Sequence, residues 1–212
     1  MFFIFYILIP ILIGYFLGSI PTGFIIGKFK GIDLTKEGSG SIGATNTLRL
    51  LGKRAGITVL IIDFLKGFIA PILALKLCNL IPLAVNLGKL PMVIAALFCI
   101  IGHSKSIWIG FKGGKSAASG AGTIFALDWR LGLITFSIWF LTVYISKYSS
   151  LGALVAVFTC PFTMIALSFK DNDFQNSIWI VLYCFIAAIY IIWKHKENIK
   201  RLIKGEESKV KF

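Results

Sequence analysis

The sequence predicts an all-α membrane protein, a bundle of seven transmembrane helices with the N-terminus outside and the C-terminus in the cytoplasm. Hydrophobic residues make up 57% of the 212 residues and charged residues only 15%, unlike the composition of soluble domains. The apolar residues come in runs, several of them near the length of about 20 residues that a helix needs to cross a bilayer. Lysine and arginine fall between these runs and are concentrated in every second loop. These three observations predict a polytopic helical protein.

Seven apolar segments, bounded by charge or by glycine, are the candidate spans. They cover residues 2–27, 56–80, 90–110, 116–127, 131–145, 151–169 and 177–193. In the first segment, Pro21 is expected to kink the helix and to free carbonyl groups that need new partners. We expect residues 1–200 to form one transmembrane domain and residues 201–212 to form a solvated cytoplasmic tail.

The orientation follows from the distribution of positive charge. Apart from Lys66, which lies inside a span, only four basic residues fall in the outer loops when the C-terminus is placed inside. These four are Lys76, Lys89, Arg130 and Lys170. An odd number of spans then places the N-terminus outside. Topology and attraction to anionic lipid explain the net charge of +13, so no nucleic-acid partner is required.

One stretch, Gly110-Phe-Lys-Gly-Gly-Lys-Ser-Ala-Ala-Ser-Gly120, combines cations, glycines and a predicted helix start. Gly113 and Gly114 let the backbone turn its N–H groups toward a ligand, and Lys112 and Lys115 add positive charge. This combination suits a phosphate group. The alternative is an ordinary loop between two membrane helices, where lysine and glycine are common.

Three further polar stretches fall on the predicted cytoplasmic face. The loop Gly38–Arg49 offers hydroxyls, an amide and a guanidinium next to glycines, and its length favours a functional loop over a solvated one. Ser149 and Ser150 alone suggest a turn or a helix cap. His195 and Asn198 are three residues apart and share a helix face, so they could act together or simply contact lipid headgroups.

Two charges lie inside the second candidate span. Asp63 and Lys66 are three residues apart on one helix face, so we expect a structural ion pair, with substrate binding as the alternative. Several glycines are expected only to let helices pack closely. These are Gly14, Gly18, Gly120 and Gly122.

Together these stretches resemble the bacterial membrane-integral glycerol-3-phosphate acyltransferases that use acyl phosphate as donor. The resemblance covers nearly the whole chain, with the motifs in the family's order. The matching stretches are Gly18–Gly23, Gly38–Asn46 with Arg49, Gly102-His103 followed by Phe111–Lys115, Ser149-Ser150, and His195-x-x-Asn198. Departures from the family's usual pattern are Ser41 in place of asparagine, Ser116 in place of glycine, and Ser104-Lys105 after His103.

The resemblance implies the site and the reaction. The residues that it implies for phosphate binding are Ser39, Thr45, Asn46, Arg49, Lys112, Lys115 and the backbone of Gly113 and Gly114. Those implied to line the reaction centre are Ser149, Ser150, His195 and Asn198. The substrates would be acyl phosphate and glycerol 3-phosphate, used at the cytoplasmic face of the bacterial inner membrane. The oligomeric state stays open, and a monomer is compatible with the sequence. Either His195 or the donor's own phosphate would accept the proton.

Other classes of protein fit the sequence less well. A Walker A motif would need glycine where Ile109 stands, and neither His103 nor His195 begins a His-x4-Asp motif. The acidic residues and the four cysteines are dispersed, so neither a metal nor another cofactor is expected. A transporter of an anionic solute is the main alternative, although the polar residues concentrate on one face. A scaffold for other lipid enzymes is a third possibility.

Overall fold

The computed structural model describes residues 2–81, 87–171 and 174–210. In these residues the chain is helical and contains no β-strand, which confirms the all-α class. The helices are α1 (Phe2–Ser19), α2 (Thr22–Phe29), α3 (Ala44–Cys78), α4 (Leu90–Ser104), α5 (Ala117–Leu127), α6 (Trp129–Ser146), α7 (Ser149–Asp171), α8 (Phe174–Lys194) and α9 (Lys196–Ile203). They form two compact units, Met1–Leu127 and Asp128–Phe212.

Each of the seven predicted segments falls on helical structure. Five helical stretches are long and apolar enough to cross a membrane, by length and composition. They are Phe3–Phe29, Ala44–Cys78, Trp129–Ser146, Ser149–Lys170 and Ser177–Lys194. The apolar helices α4 and α5 are shorter; at 1.5 Å per residue, the 11 residues of α5 extend only about 16 Å. The chain is therefore a membrane-embedded helical protein.

In the first unit, helices cross so closely that their backbones touch. A Cβ atom at Gly14 or Gly18 of α1 would overlap the backbone of α4, and one at Gly122 of α5 would overlap the backbone of α3. Glycine allows this approach, and close packing between helices replaces the hydrophobic effect within a bilayer. The packing role predicted for Gly14, Gly18 and Gly122 is confirmed, and Gly120 is buried as well.

Pro21 breaks the first predicted span into two helices instead of bending one. The chain is not helical at Ile20 and Pro21, and the freed carbonyl groups find new partners as predicted. Lys66 Nζ donates to the carbonyl of Ile20 at 2.8 Å, and Ser106 Oγ donates to that of Ser19 at 2.5 Å. Residues from distant parts of the first unit therefore stabilise the break.

The first polar loop is shorter than predicted, because α3 begins at Ala44 and not near Gly56. Gly52 interrupts this helix with a φ of +85°, a conformation that residues with a Cβ rarely adopt. Arg49 consequently lies on the first segment of α3, and the loop proper ends before Ala44. The side chains of Leu34 and Ile42 are buried and anchor what remains of the loop.

In the second unit, α7 packs against both α6 and α8. Asp128 caps α6 by accepting the N–H groups of Arg130 at 2.8 Å and Leu131 at 3.1 Å. Burial alone would raise the pKa of Asp128, but these bonds and the Arg130 side chain hold it below its ordinary value.

The tail after α9 is exposed at Lys204, Glu206, Ser208 and Lys209, but it also packs against the second unit, which the sequence did not predict. The N–H of Val210 donates to the carbonyl of Lys147 at 2.8 Å, and the side chain of Glu207 is only 8% exposed. Gly205, with a φ of +71°, allows the chain to turn after α9. These contacts could not be predicted, because composition alone does not show that the tail carries an acceptor for buried donors. Lys211 and Phe212, also part of the predicted tail, lie outside the described residues.

Candidate active site

Asn46 shapes the polar loop before α3. Its Oδ1 accepts the N–H of Ser39 at 3.0 Å, and its Nδ2 donates to the carbonyls of Glu37 at 3.1 Å and Ser41 at 2.9 Å. The residue is 2% exposed. Both ends of the amide are thus used inside the protein, as buried polar groups generally are. A contact between this side chain and phosphate stays a prediction.

Three predicted phosphate contacts lie on the exposed side of the same region. The loop presents Ser39, and the first turns of α3 present Thr45 and Arg49, which are four residues apart and so share one helix face. The N-terminal turn of a helix adds N–H groups and a partial positive charge. Two hydroxyls and a guanidinium therefore lie near a helix N-terminus, an arrangement suited to an anion.

The second polar region is the lysine loop, which we define as residues 110–116. A short antiparallel pairing shapes its start, because the N–H of Ser106 donates to the carbonyl of Lys112 at 2.9 Å. Gly110 and Phe111 adopt left-handed φ values of +63° and +58° to complete the turn. The side chain of Lys112 is exposed, and Lys115 follows after the two glycines.

Gly113 and Gly114 lie against the C-terminal end of α4. A Cβ atom at Gly113 would overlap the backbone of His103 and Ser104, whereas one at Gly114 would overlap the imidazole ring of His103. The N–H of Gly114 donates to the carbonyl of His103 at 3.1 Å. This amide is therefore used inside the protein, although the sequence predicted that it would face a ligand. Close packing explains why both positions need glycine, and a contact between their backbone and phosphate stays a prediction.

The lysine loop ends at Ser116, and α5 begins at Ala117, which confirms the predicted helix start. Ser116 is fully buried and has a φ of +63°, unusual for a residue with a side chain. Its hydroxyl donates to the carbonyl of Ile100 at 2.6 Å. The carbonyl of Ser116 accepts the N–H of Gly120, so this residue joins the loop to α5.

A buried polar cluster lies beside the lysine loop in the first unit. Asp63 and Lys66 form the predicted ion pair, with 2.9 Å between Oδ1 and Nζ, and both side chains are nearly inaccessible. Thr22 Oγ1 donates to the same Asp63 oxygen at 3.1 Å. The Nδ1 atom of His103 lies 3.7 Å from that oxygen. The structural role predicted for Asp63 and Lys66 is confirmed.

In the second unit, two of the four residues predicted to line the reaction centre, Ser150 and Asn198, are joined through Glu207, which the sequence did not predict. Ser150, near the start of α7, donates from Oγ to Glu207 Oε1 at 2.8 Å, and Asn198 of α9 donates from Nδ2 to the same oxygen at 2.8 Å. Arg201 Nε donates to Glu207 Oε2 at 2.7 Å. One carboxylate therefore fixes Ser150 and Asn198 together. Ser149 is the first residue of α7 and is partly exposed.

These donors also set the charge of Glu207. Burial would raise its pKa, but the hydrogen bonds from Asn198, Arg201 and Ser150 and the charge of Arg201 hold the pKa below its ordinary value. Glu207 is consequently ionised at neutral pH and acts only as an acceptor. Because the Ser150 hydroxyl donates to it, the lone pairs of Ser150 Oγ are the part of that hydroxyl suited to accept a further hydrogen bond.

His195 lies between α8 and α9 and is 4% exposed. Its Nδ1 lies 2.8 Å from the carbonyl oxygen of Ile191. A carbonyl oxygen can only accept, so Nδ1 carries the proton in this bond, and Nε2 is the nitrogen able to accept another. This tautomer is the one that a general base working through Nε2 requires.

Comparison with known proteins identifies the family. The model of the glycerol-3-phosphate acyltransferase family matches residues 8–205. The chain belongs to this family. Glycerol-3-phosphate acyltransferases from Desulforamulus reducens and from a Synechococcus strain are 42% and 38% identical to it. These matches cover 95% and 96% of this chain and 94% of each relative.

Solved structures of the same family share the fold. The crystal structure of the integral membrane glycerol 3-phosphate acyltransferase PlsY in its glycerol 3-phosphate form matches with a TM-score of 0.85 at 32% identity. Its lysophosphatidic acid form matches with a TM-score of 0.82 at 31% identity. Each match covers 96% of this chain and 95% of the other.

Within this acyltransferase family, the departures at Ser41 and Ser116 have local explanations. Ser116 occupies a left-handed conformation that glycine adopts without strain, and its hydroxyl gains the bond to Ile100. Ser41 Oγ accepts the N–H of Gly43 at 3.3 Å, a local turn contact that an asparagine side chain also makes. Both serines thus fit their positions.

Glu207 is the residue that sequence reasoning missed. The signal available was an acidic pair, Glu206-Glu207, in an otherwise basic tail nine residues beyond Asn198. A carboxylate surrounded by lysine and arginine can equally be a solvated countercharge, so the pattern did not separate the two roles. Only the fold shows that Ser150 and Asn198 both donate to it.

Proposed function

We propose that this acyltransferase moves a fatty acyl group from acyl phosphate to the 1-hydroxyl of glycerol 3-phosphate, giving 1-acylglycerol 3-phosphate and inorganic phosphate. The observation that carries the proposal is the match to PlsY in its glycerol 3-phosphate form, with a TM-score of 0.85 over 96% of the chain. The donor is inferred from the motif resemblance and from the cations available in the first unit. Both substrates would carry a phosphate group, which favours binding by Arg49, Lys112 and Lys115.

The reaction needs little covalent chemistry from the protein. The hydroxyl oxygen of glycerol 3-phosphate forms a bond to the acyl carbonyl carbon, and the bond from that carbon to the phosphate oxygen breaks. Inorganic phosphate leaves with the electron pair, so no acyl-enzyme is required. In the first unit, guanidinium, ammonium and hydroxyl donors would stabilise the charge that develops on the departing phosphate.

The proton of the attacking hydroxyl has two possible acceptors. One is Nε2 of His195, since Nδ1 already donates to the carbonyl of Ile191. The other is the phosphate of the donor itself. Ser150, whose own proton goes to Glu207, would accept a hydrogen bond from a substrate hydroxyl. Asn198, fixed by the same carboxylate, would supply a further polar contact.

We also propose the finer topology that the charges indicate, with seven spans in the bacterial cytoplasmic membrane, the N-terminus outside and the site on the cytoplasmic side. The concentration of lysine and arginine in alternate loops supports it. A cysteine at Lys204, which is exposed, should react with an impermeant maleimide in inverted vesicles and stay unlabelled in intact cells. Labelling in intact cells would contradict the orientation.

Replacement of two lysines tests the site. Purified Lys115→Ala and Lys209→Ala proteins would be given palmitoyl phosphate and labelled glycerol 3-phosphate, and lysophosphatidate would be measured. Removing a cation that stabilises phosphate should lower kcat/KM by about tenfold or more, whereas Lys209, which lies over the ring of Tyr148, should be replaceable with little loss. Equal effects of the two changes would remove the proposed role of the lysine loop.

A further inference from the structure

We propose that His103 is a positioning residue for the lysine loop, and that Asp63 fixes its imidazole ring from α3. The proposal rests on the proposed function in so far as Lys112 and Lys115 act on a substrate phosphate. The two lysines flank Gly113 and Gly114, so the surface against which these glycines rest determines where both cations stand. His103 forms that surface.

The contact between the loop and His103 has two parts. The backbone carbonyl of His103 accepts the N–H of Gly114 at 3.1 Å, which sets the distance between the turn and the C-terminal end of α4. The imidazole ring lies directly under Gly114, so closely that a single added methyl group would overlap it. Both ends of the loop have their own anchors, the Ser106–Lys112 pairing and the Ser116 bond to Ile100. His103 supports the middle, where the glycines lie.

The ring of His103 belongs to the buried cluster. It is 3% exposed, and its Nδ1 lies 3.7 Å from Asp63 Oδ1, too far for a hydrogen bond but within the range of electrostatic attraction. Asp63 is held in turn by Lys66 at 2.9 Å and by Thr22 at 3.1 Å. Lys66 also donates to the carbonyl of Ile20 at the break between α1 and α2. The ring therefore rests on a network that joins three parts of the first unit.

The position of the lysine loop matters more for kcat/KM than for stability. Burying an ion pair in a low-dielectric interior contributes little net stability. A displacement of about 1 Å at a substrate-binding cation, however, can change rates by about a hundredfold. A rigid support under two flexible glycines is thus explained by the need to hold the lysines in place.

A complementation experiment separates this role from general packing. Gly114→Ala adds a methyl group whose three nearest neighbours are ring atoms of His103, and His103→Ala removes the ring and makes room for it. Gly113→Ala is the matched control, because its methyl group meets the backbone of His103 and Ser104, which His103→Ala leaves unchanged. Each glycine variant would be made alone and together with His103→Ala.

The readouts are KM for glycerol 3-phosphate, kcat, and the rise in melting temperature caused by glycerol 3-phosphate. We expect Gly114→Ala to raise KM by about tenfold or more, with a smaller change in kcat. In the double variant Gly114→Ala with His103→Ala, KM should return to the value of His103→Ala alone. The double variant Gly113→Ala with His103→Ala should show no such recovery. If Gly114→Ala does not fold, recovery of folded protein in the double variant is the expected result. Absence of recovery would overturn the proposal.

The role of Asp63 has its own test. Asp63→Asn combined with Lys66→Met removes both buried charges at once, so neither is left unpaired. We expect KM to rise by about fivefold or more, with a modest fall in melting temperature because the carbonyl of Ile20 loses its Lys66 donor. Asp128→Asn, the same chemical change at the cap of α6, should leave KM unchanged. An unaltered KM in the first variant would contradict the role of Asp63.

Failure of the proposed function would look different. A wild-type protein that forms no lysophosphatidate would refute the reaction. If glycerol 3-phosphate still raises its melting temperature, and this rise is reduced in Gly114→Ala and returns in the double variant with His103→Ala to the level of His103→Ala alone, the positioning role stands. If glycerol 3-phosphate causes no rise in the wild type, both proposals are wrong.

Discussion

At the scale of single residues, hydrogen-bond partners separate the side chains that shape the site from those able to touch a substrate. The sequence predicted that Asn46 binds phosphate and that Glu207 lies in a solvated tail. The side chains of both residues instead form hydrogen bonds with groups of the protein itself. Ser39, Arg49 and Lys112 are exposed and so available to a ligand. A motif shows that a residue belongs to a site, but contacts show what it does there.

Ser116 gives the first prediction. At a φ of +63°, a residue with a Cβ atom is strained by about 1 kcal/mol or more relative to glycine. The hydrogen bond from the Ser116 hydroxyl to the carbonyl of Ile100 contributes about 1 kcal/mol to stability. Ser116→Ala loses the bond and keeps the strain, whereas Ser116→Gly loses both. We therefore expect the glycine variant to be more stable than the alanine variant by about 1 kcal/mol in reversible detergent unfolding. An alanine variant of equal or greater stability would contradict the strained conformation.

Glu207 gives a pH prediction. Glu207→Gln should lower the free energy of unfolding at pH 7 by about 1–3 kcal/mol, because buried donors lose their charged acceptor. The folded-state pKa of Glu207 lies below its ordinary value, so the charged form stabilises the fold above the unfolded pKa of about 4.3. The difference between wild type and variant should be constant near neutral pH and disappear as pH falls through the folded pKa. A difference that persists at pH 2 would show that the carboxylate charge is not involved.

At the scale of helices, hydrophobic periodicity and length predicted where each apolar segment lies, because the bilayer fixes both. The ends were less predictable. The start of α3 at Ala44 depends on Gly43 and on the anchors Leu34 and Ile42, which only tertiary packing reveals. Pro21 was expected to bend a helix and instead separates two, since Lys66 and Ser106 donate hydrogen bonds to the freed carbonyl groups.

The crossing of α1 and α4 gives a prediction at this scale. Gly18→Ala places a methyl group into the backbone of Cys99, so the helices must separate, and we expect a loss of about 1–3 kcal/mol. Leu12→Ala is the matched control, since Leu12 lies on the same helix and is 52% exposed. Unfolding of both variants in mixed detergent micelles would measure the difference. A Gly18→Ala protein as stable as the control would contradict the close crossing.

At the scale of the whole molecule, charge and hydropathy account for most of what the sequence could predict. The all-α membrane class and the family follow from long-range patterns, and the structure and its relatives confirm them. The support under the lysine loop could not be predicted, because Asp63, His103 and Gly114 are far apart in sequence and meet only in the fold. The spacing of residues in the sequence shows which of them share a face of one helix. Contacts between different helices depend on how the helices cross, which the spacing does not show.

The identity of the acyl donor tests the central claim most directly. Purified protein would receive labelled glycerol 3-phosphate with palmitoyl phosphate, palmitoyl-CoA or palmitoyl acyl carrier protein as the sole donor. We expect lysophosphatidate only with palmitoyl phosphate, together with one inorganic phosphate released per molecule of product. Product formation from a thioester donor, or none from palmitoyl phosphate, would contradict the proposed reaction.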